Sequence, residues 1–190
     1  MGKLADFIIH PTGDVSNHFL SRGIFTFHNA AKYVQSLDYG RNVDKSNLLT
    51  VFSDNRGTCS TKHALLKCLA DENGFEDIKL FIGIFKMNGS NTPKIKERLL
   101  KYNIPYIPEA HTYLKYEAQY FDFTKIGSSP EDFFNDLIHE IEIQSNQINV
   151  QKVEIHKSFL RNWLRVNSDN KYSIEEIWNI REECIKDLSE

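Results

Sequence analysis

Cysteine, histidine and aspartate stand in one order along this chain, as Cys59, His111 and Asp122, and together they make the set that thiol acyl transfer needs. A thiolate attacks a carbonyl, an imidazole takes the thiol proton and returns it to the leaving amine, and a carboxylate fixes the ring tautomer and steadies the imidazolium. Cys59 lies in Asn55-Arg-Gly-Thr-Cys-Ser-Thr-Lys-His-Ala-Leu-Leu66. Gly57 allows a sharp bend, Thr58 is a natural N-cap, Leu65, Leu66 and Leu69 form an apolar stripe at helical spacing, and Gly74 is a C′ stop. The cysteine therefore falls in the first turn of a helix, where the positive end of the dipole favours a thiolate. The backbone N–H of Cys59 itself can point at an oxyanion. The competing reading is a small buried cysteine at a helix start.

Other residues have claims on the same chemistry. His63 lies one helical turn from Cys59 and is the minor alternative as base, although no orienting carboxylate is evident beside it. Lys62 either helps to hold the thiolate or is a solvated helix lysine. Cys68, beside Leu65 and Leu69, reads as core, and Cys184 as packed or partly exposed on the last helix. Arg41 and Arg56 are surface residues with a possible acidic contact. His10, His18 and His28 lie close in sequence but show no ligand spacing on one element, so no metal is expected.

The elements that must position these groups read as follows. Residues 7–27 mix short apolar runs with Pro11, Gly13 and Gly23 and suggest a short strand or irregular wrap. A helix over 27–37 ends at Gly40, and a polar loop leads to the Cys59 helix. Residues 78–87 are apolar on both parities, as in a strand covered on both faces. Thr92-Pro93 opens a helix carrying Ile95, Leu99 and Tyr102. Pro105 and Pro108 mark an extended linker. Residues 110–124 read as an antiparallel hairpin. A turn at Tyr116-Glu117 would put His111 directly across from Asp122. From Ser128 the chain reads as helical: Ser129-Pro-Glu-Asp132 with a stripe of Phe133, Phe134, Leu137, Ile138 and Ile141, then a helix around Phe159–Leu164, then a capping box at Ser173-Ile-Glu-Glu176.

Composition bounds the rest. The chain has 190 residues, 41% of them hydrophobic and 26% charged, with a net charge of -3. It is long enough for one domain, residues 1–190, with its own core. The mild acidity gives no electrostatic case for nucleic acid or an anionic membrane. No apolar run approaches the ~20 residues needed to cross a bilayer. Three widely spaced cysteines make neither a disulfide framework nor a metal pair. These features suggest a cytoplasmic setting.

The residues Gly57-Thr-Cys59-Ser-Thr-Lys62-His-Ala-Leu-Leu66, Ala110-His111 opening a strand, and Tyr120-Phe-Asp122-Phe-Thr124 closing the hairpin resemble the transglutaminase-like superfamily, which shares its core with papain-type cysteine proteases. The resemblance covers residues 25–125. It implies an α+β papain/transglutaminase-like core, with residues 128–190 a helical C-terminal extension. It also implies a Cys59-His111-Asp122 triad acting on a peptide, protein or small amide substrate through a thioester, with no metal or organic cofactor. Ser60 stands where the animal transglutaminases have Trp, and there is no Trp before Trp163. Asn55 is then the candidate second oxyanion donor by position. Water as acceptor gives a peptidase or amidase, and an amine gives an acyltransferase. The rival reading is a non-enzymatic binding module on the same fold.

Overall fold

The computed structural model describes residues 4–167 and 171–189. The fold is α+β, with a four-stranded antiparallel sheet and helices. In chain order the elements are α1 (Asp14–Leu20), α2 (Phe27–Ser36), β1 (Asp38–Tyr39), α3 (Thr50–Ser53), β2 (Arg56–Gly57), α4 (Cys59–Glu72), β3 (Lys79–Met87), α5 (Lys96–Tyr102), β4 (Ile107–Tyr116), β5 (Gln119–Phe121), β6 (Leu137–Ile143), α6 (Val150–Val166) and α7 (Ile174–Ser189), with short 3-10 turns between some of them. The sheet order is β5-β4-β3-β6, and β1 and β2 form a separate parallel pair. The chain divides into two compact units. The first holds Met1–Ile82, Thr112–Pro130 and Ile141–Asn149, and the second Gly83–His111, Glu131–Glu140 and Val150–Glu190.

The first unit is organised around α4. Thr58 caps it as the sequence predicts: its hydroxyl accepts from the Thr61 N–H, while Thr61 Oγ1 accepts from the Thr58 N–H at 3.0 Å. This reciprocal arrangement satisfies donors that a helix start otherwise leaves open. Gly74 has φ +78, the left-handed conformation that suits a residue just past a helix end. Eleven of the 14 residues of α4 are buried, among them Ser60, Thr61, Lys62, His63 and Lys67. A helix enclosed this fully must find partners for its polar side chains within the protein. Around it, Phe7 stacks on Phe27 and Phe75 at 4.8 and 3.9 Å. Glu72, near the end of α4, accepts from the Val15 and Ser16 amides at the start of α1. Residues 7–27 thus hold the helix α1 and an isolated bridge between Ile8 and Thr26, where the sequence suggested a strand or an irregular wrap.

Two further expectations are corrected. The β4–β5 hairpin pairs Leu114 with Phe121, Lys115 with Tyr120 and Tyr116 with Gln119, so its register lies two residues from the expected one. The turn falls on Glu117 and Ala118, both left-handed at φ 47 and 61, the conformation that a two-residue primed turn requires. Asp122 follows the last paired residue. Secondly, Ser129-Pro130 opens only a 3-10 turn over Pro130–Asp132, and the expected helix is the strand β6. Of its intended stripe Phe133 is buried, whereas Phe134, Ile138 and Ile141 are exposed. The run Leu-Ile-His-Glu-Ile-Glu-Ile is β-branched at three of its positions and suits a pleated surface better than a helix. The chain after Ser128 is therefore not all helical, and β4 begins at Ile107, inside the stretch read as a linker.

The second unit carries α5, α6 and α7. The capping box of α7 forms as the sequence predicts, with the Ser173 N–H donating to Glu176 and the Glu176 N–H to Ser173 Oγ. Arg98 on α5 forks onto Asp187 on α7 and also reaches Glu183.

Candidate active site

Cys59 is the first residue of α4, 9% exposed. The capped helix start leaves its first-turn amides directed outward along the helix axis. Gly57 precedes it in tight quarters: a Cβ there would lie 2.8 Å from Lys62 Cγ and 2.9 Å from Thr61 Oγ1. The cap is tied to the preceding loop through Asn42, whose side-chain oxygen accepts from Thr61 Oγ1 at 2.7 Å and whose amide donates to the Arg56 carbonyl at 2.9 Å. Ser60 shares a 3.3 Å hydrogen bond with Thr112 on β4. Asn55 is exposed and left-handed at φ 51, a conformation asparagine tolerates better than most residues.

Asp122 lies in the same unit and is buried. Its Oδ1 accepts from both the amide and the hydroxyl of Thr124, a local Asx-type turn that fixes the carboxylate. Gln35 donates to its backbone carbonyl at 3.4 Å. Asp122 Oδ1 also lies 3.6 Å from His63 Nε2, so the carboxylate that the sequence did not place near His63 is there. Even so, His63 is not available as a base. Its Nδ1 lies 2.7 Å from the Cys59 carbonyl oxygen, and its Nε2 accepts the Phe123 N–H at 2.7 Å. An Nε2 that accepts carries no proton, so Nδ1 carries it and donates to the carbonyl. Both nitrogens are spent on the backbone.

Lys62 is completely buried. Its ammonium donates to the carbonyls of Leu37 at 2.6 Å and Thr124 at 2.8 Å. Burial pushes its pKa down to about 8, against the attraction of Asp38 and Asp122. The solvated-lysine reading is therefore corrected. Of the two other cysteines, Cys68 is half-buried and its thiol is raised to about 11 by burial with Glu72, Asp71 and Asp14 nearby. Cys184 is fully packed, and burial followed by Asp187 raises it to about 12.

His111 belongs to the second unit. It is half-buried, with its ring 4.8 Å from Phe133 and edge-on to Phe85 at 6.4 Å. The same unit holds a buried charged cluster. Arg181 forks onto both oxygens of Glu109 and lies over Trp178. Glu109 is buried, which acts to raise its pKa, but Arg181 holds it down at about 2. His156 Nε2 lies 2.7 Å from the Pro108 carbonyl oxygen, and burial lowers the pKa of its ring.

The sequence did not single out Thr124, Asn42 or the buried role of Lys62. The pattern Asp122-Phe-Thr124 was the available signal for the first, since a carboxylate two residues before a threonine commonly bonds it locally. Among the described residues no group of three or more His, Cys, Asp or Glu is arranged to hold a metal ion, and no helix is long and apolar enough to cross a membrane. No protein-family model, curated protein or solved structure matches the chain.

Proposed function

We propose that the protein performs cysteine-dependent amide or acyl chemistry, with Cys59 as nucleophile, His111 as base and Asp122 as the carboxylate that orients it, on a papain/transglutaminase-like core. The observation that carries this reading is the position of Cys59: buried like Cys184, it begins a capped helix, the position that favours a thiolate, while burial and carboxylates raise the thiols of Cys68 and Cys184. The loss of His63 as a candidate base leaves His111 as the proposed one.

In this reaction the thiolate sulfur bonds to the carbonyl carbon of an amide. The carbon–nitrogen bond breaks, and the amine leaves with the proton that the imidazole took from Cys59. Water or a second amine then attacks the thioester, loses a proton to the imidazole, and releases the acid or new amide with the thiol restored. The first-turn amide of Cys59 is the proposed oxyanion donor, with Asn55 as the second.

Iodoacetamide labelling across a pH series, read by peptide mass, tests the reading. Cys59 should label fastest and stay reactive below pH ~7, as activated thiols do, and His111→Ala should remove that reactivity. Labelling of Cys59 no faster than that of Cys184 overturns the proposal.

A further inference from the structure

Lys62 is used by no step above, yet burying a lysine completely is costly unless the ammonium is well partnered. Its two partners are informative. Leu37 O lies just past the end of α2, and Thr124 O lies in the turn that carries Asp122. One side chain on the Cys59 helix thus grips two separate segments, and one of them is the segment whose geometry decides where the carboxylate points. Gly57 leaves room for the lysine stem, since a Cβ there would collide with Lys62 Cγ.

We propose that Lys62 is a positioning residue that ties the Cys59 helix to the Asp122–Thr124 turn and lends that carboxylate a fixed counter-charge. The inference rests on the reading of Cys59 and Asp122 as members of one catalytic set. A buried carboxylate can steady an imidazolium only while it is an anion, and a buried anion needs compensation. The charged groups facing this ammonium are Asp38 and Asp122. The neighbouring His63 ring is neutral in its Nδ1–H form and supplies no charge. At neutral pH the lysine is protonated, because its pKa, although depressed, stays near 8. Its charge is therefore present when the thiol must ionise.

The first test is Lys62→Met, which keeps the stem and removes the charge. Circular dichroism reports its folding, and the pH profile of Cys59 alkylation reports the site. The alkylation midpoint should rise by about 1–2 pH units, the size of effect that a nearby opposite charge has. An unmoved midpoint in a folded variant overturns the inference and leaves the nucleophile in place. Slow Cys59 labelling in the wild type removes the catalytic reading and the inference with it. A second measurement, independent of the folding of Lys62→Met, follows the 13Cε resonance of Lys62 in the wild type and in Asp122→Asn. The Lys62 midpoint should drop further in Asp122→Asn, since the aspartate holds it up. An identical midpoint in the two proteins overturns the proposed counter-charge whatever becomes of the methionine variant.

Discussion

The backbone N–H of Phe123 donates to Nε2 of His63 at 2.7 Å, and this one bond takes His63 out of the running as a base. With Nε2 accepting and Nδ1 turned to the Cys59 carbonyl, His63 serves as a brace between α4 and the segment after β5. It stands next to both Cys59 and Asp122 without being able to move a proton between them. Proximity in sequence made it a candidate, and the direction of two hydrogen bonds removes it.

The tautomer is directly measurable. Imidazole 15N shifts should report His63 as the Nδ1–H form, unchanged between pH ~5.5 and ~8, a window that spans the ordinary histidine pKa. Protonation of Nε2 would break the Phe123 bond in a site with no exposed surface. A His63 signal that titrates with Cys59 reactivity would return it to the mechanism and displace His111.

Thr58 offers a second test, because it acts on both stability and the nucleophile. Its hydroxyl caps the helix that Cys59 begins. Thr58→Ala should cost about 1 kcal/mol in urea denaturation, the usual loss for an N-cap. It should also slow Cys59 alkylation near neutral pH, since a frayed first turn no longer aims its amides at the sulfur. A stability loss with an unchanged alkylation profile would mean that the cap serves the fold alone.

The parts of the fold that were legible are those governed by local rules. Thr58, Gly74 and Ser173 mark helix ends through bonds to residues within a turn of themselves, and such bonds can be read from spacing. The hairpin register was not legible, because Glu117 and Ala118 adopt positive φ without being glycine or asparagine. Residues 137–143 are not legible from local rules, because the turn signal at Ser129-Pro130 precedes an apolar run whose conformation is set by pairing in the sheet. At the candidate site the helix position of Cys59 was legible. The burial of Lys62 was not: a lysine on a helix is normally solvated, and only the enclosure of α4 on nearly all sides makes it otherwise. The partnering of Asp122 by Thr124 lies in between: a local pattern of spacing that the sequence carries but that many Asp-x-Thr stretches share.

The pair Arg181–Glu109 makes a strong stability prediction for the second unit. Arg181 is 14% and Glu109 8% exposed at the side chain. Arg181→Met strands a buried carboxylate and should cost about 3–5 kcal/mol, while Arg181→Met with Glu109→Met should recover most of that loss. The sign in acid follows from the depressed pKa of Glu109. Its stabilising contribution is complete above its ordinary value of 4.5 and is lost as pH falls toward about 2. Equal losses in the single and double variants would show that packing, not the charge pair, is what the site requires.

Lys62 gives the opposite window. Its folded pKa, about 8, lies below its ordinary 10.5, so between these values the unfolded chain binds more protons than the folded one. Stability must then rise with pH across that interval, by about 1.4 kcal/mol for each unit by which the pKa is displaced. The gain is complete above 10.5 and vanishes as pH falls through 8. Other alkaline titrations contribute to the raw curve, so the quantity to measure is the difference in unfolding free energy between wild type and Lys62→Met at pH 7.5, 9 and 10.5. That difference should shift in favour of the wild type at each step. A flat difference would mean that the ammonium is as comfortable between the Leu37 and Thr124 carbonyls as it is in water.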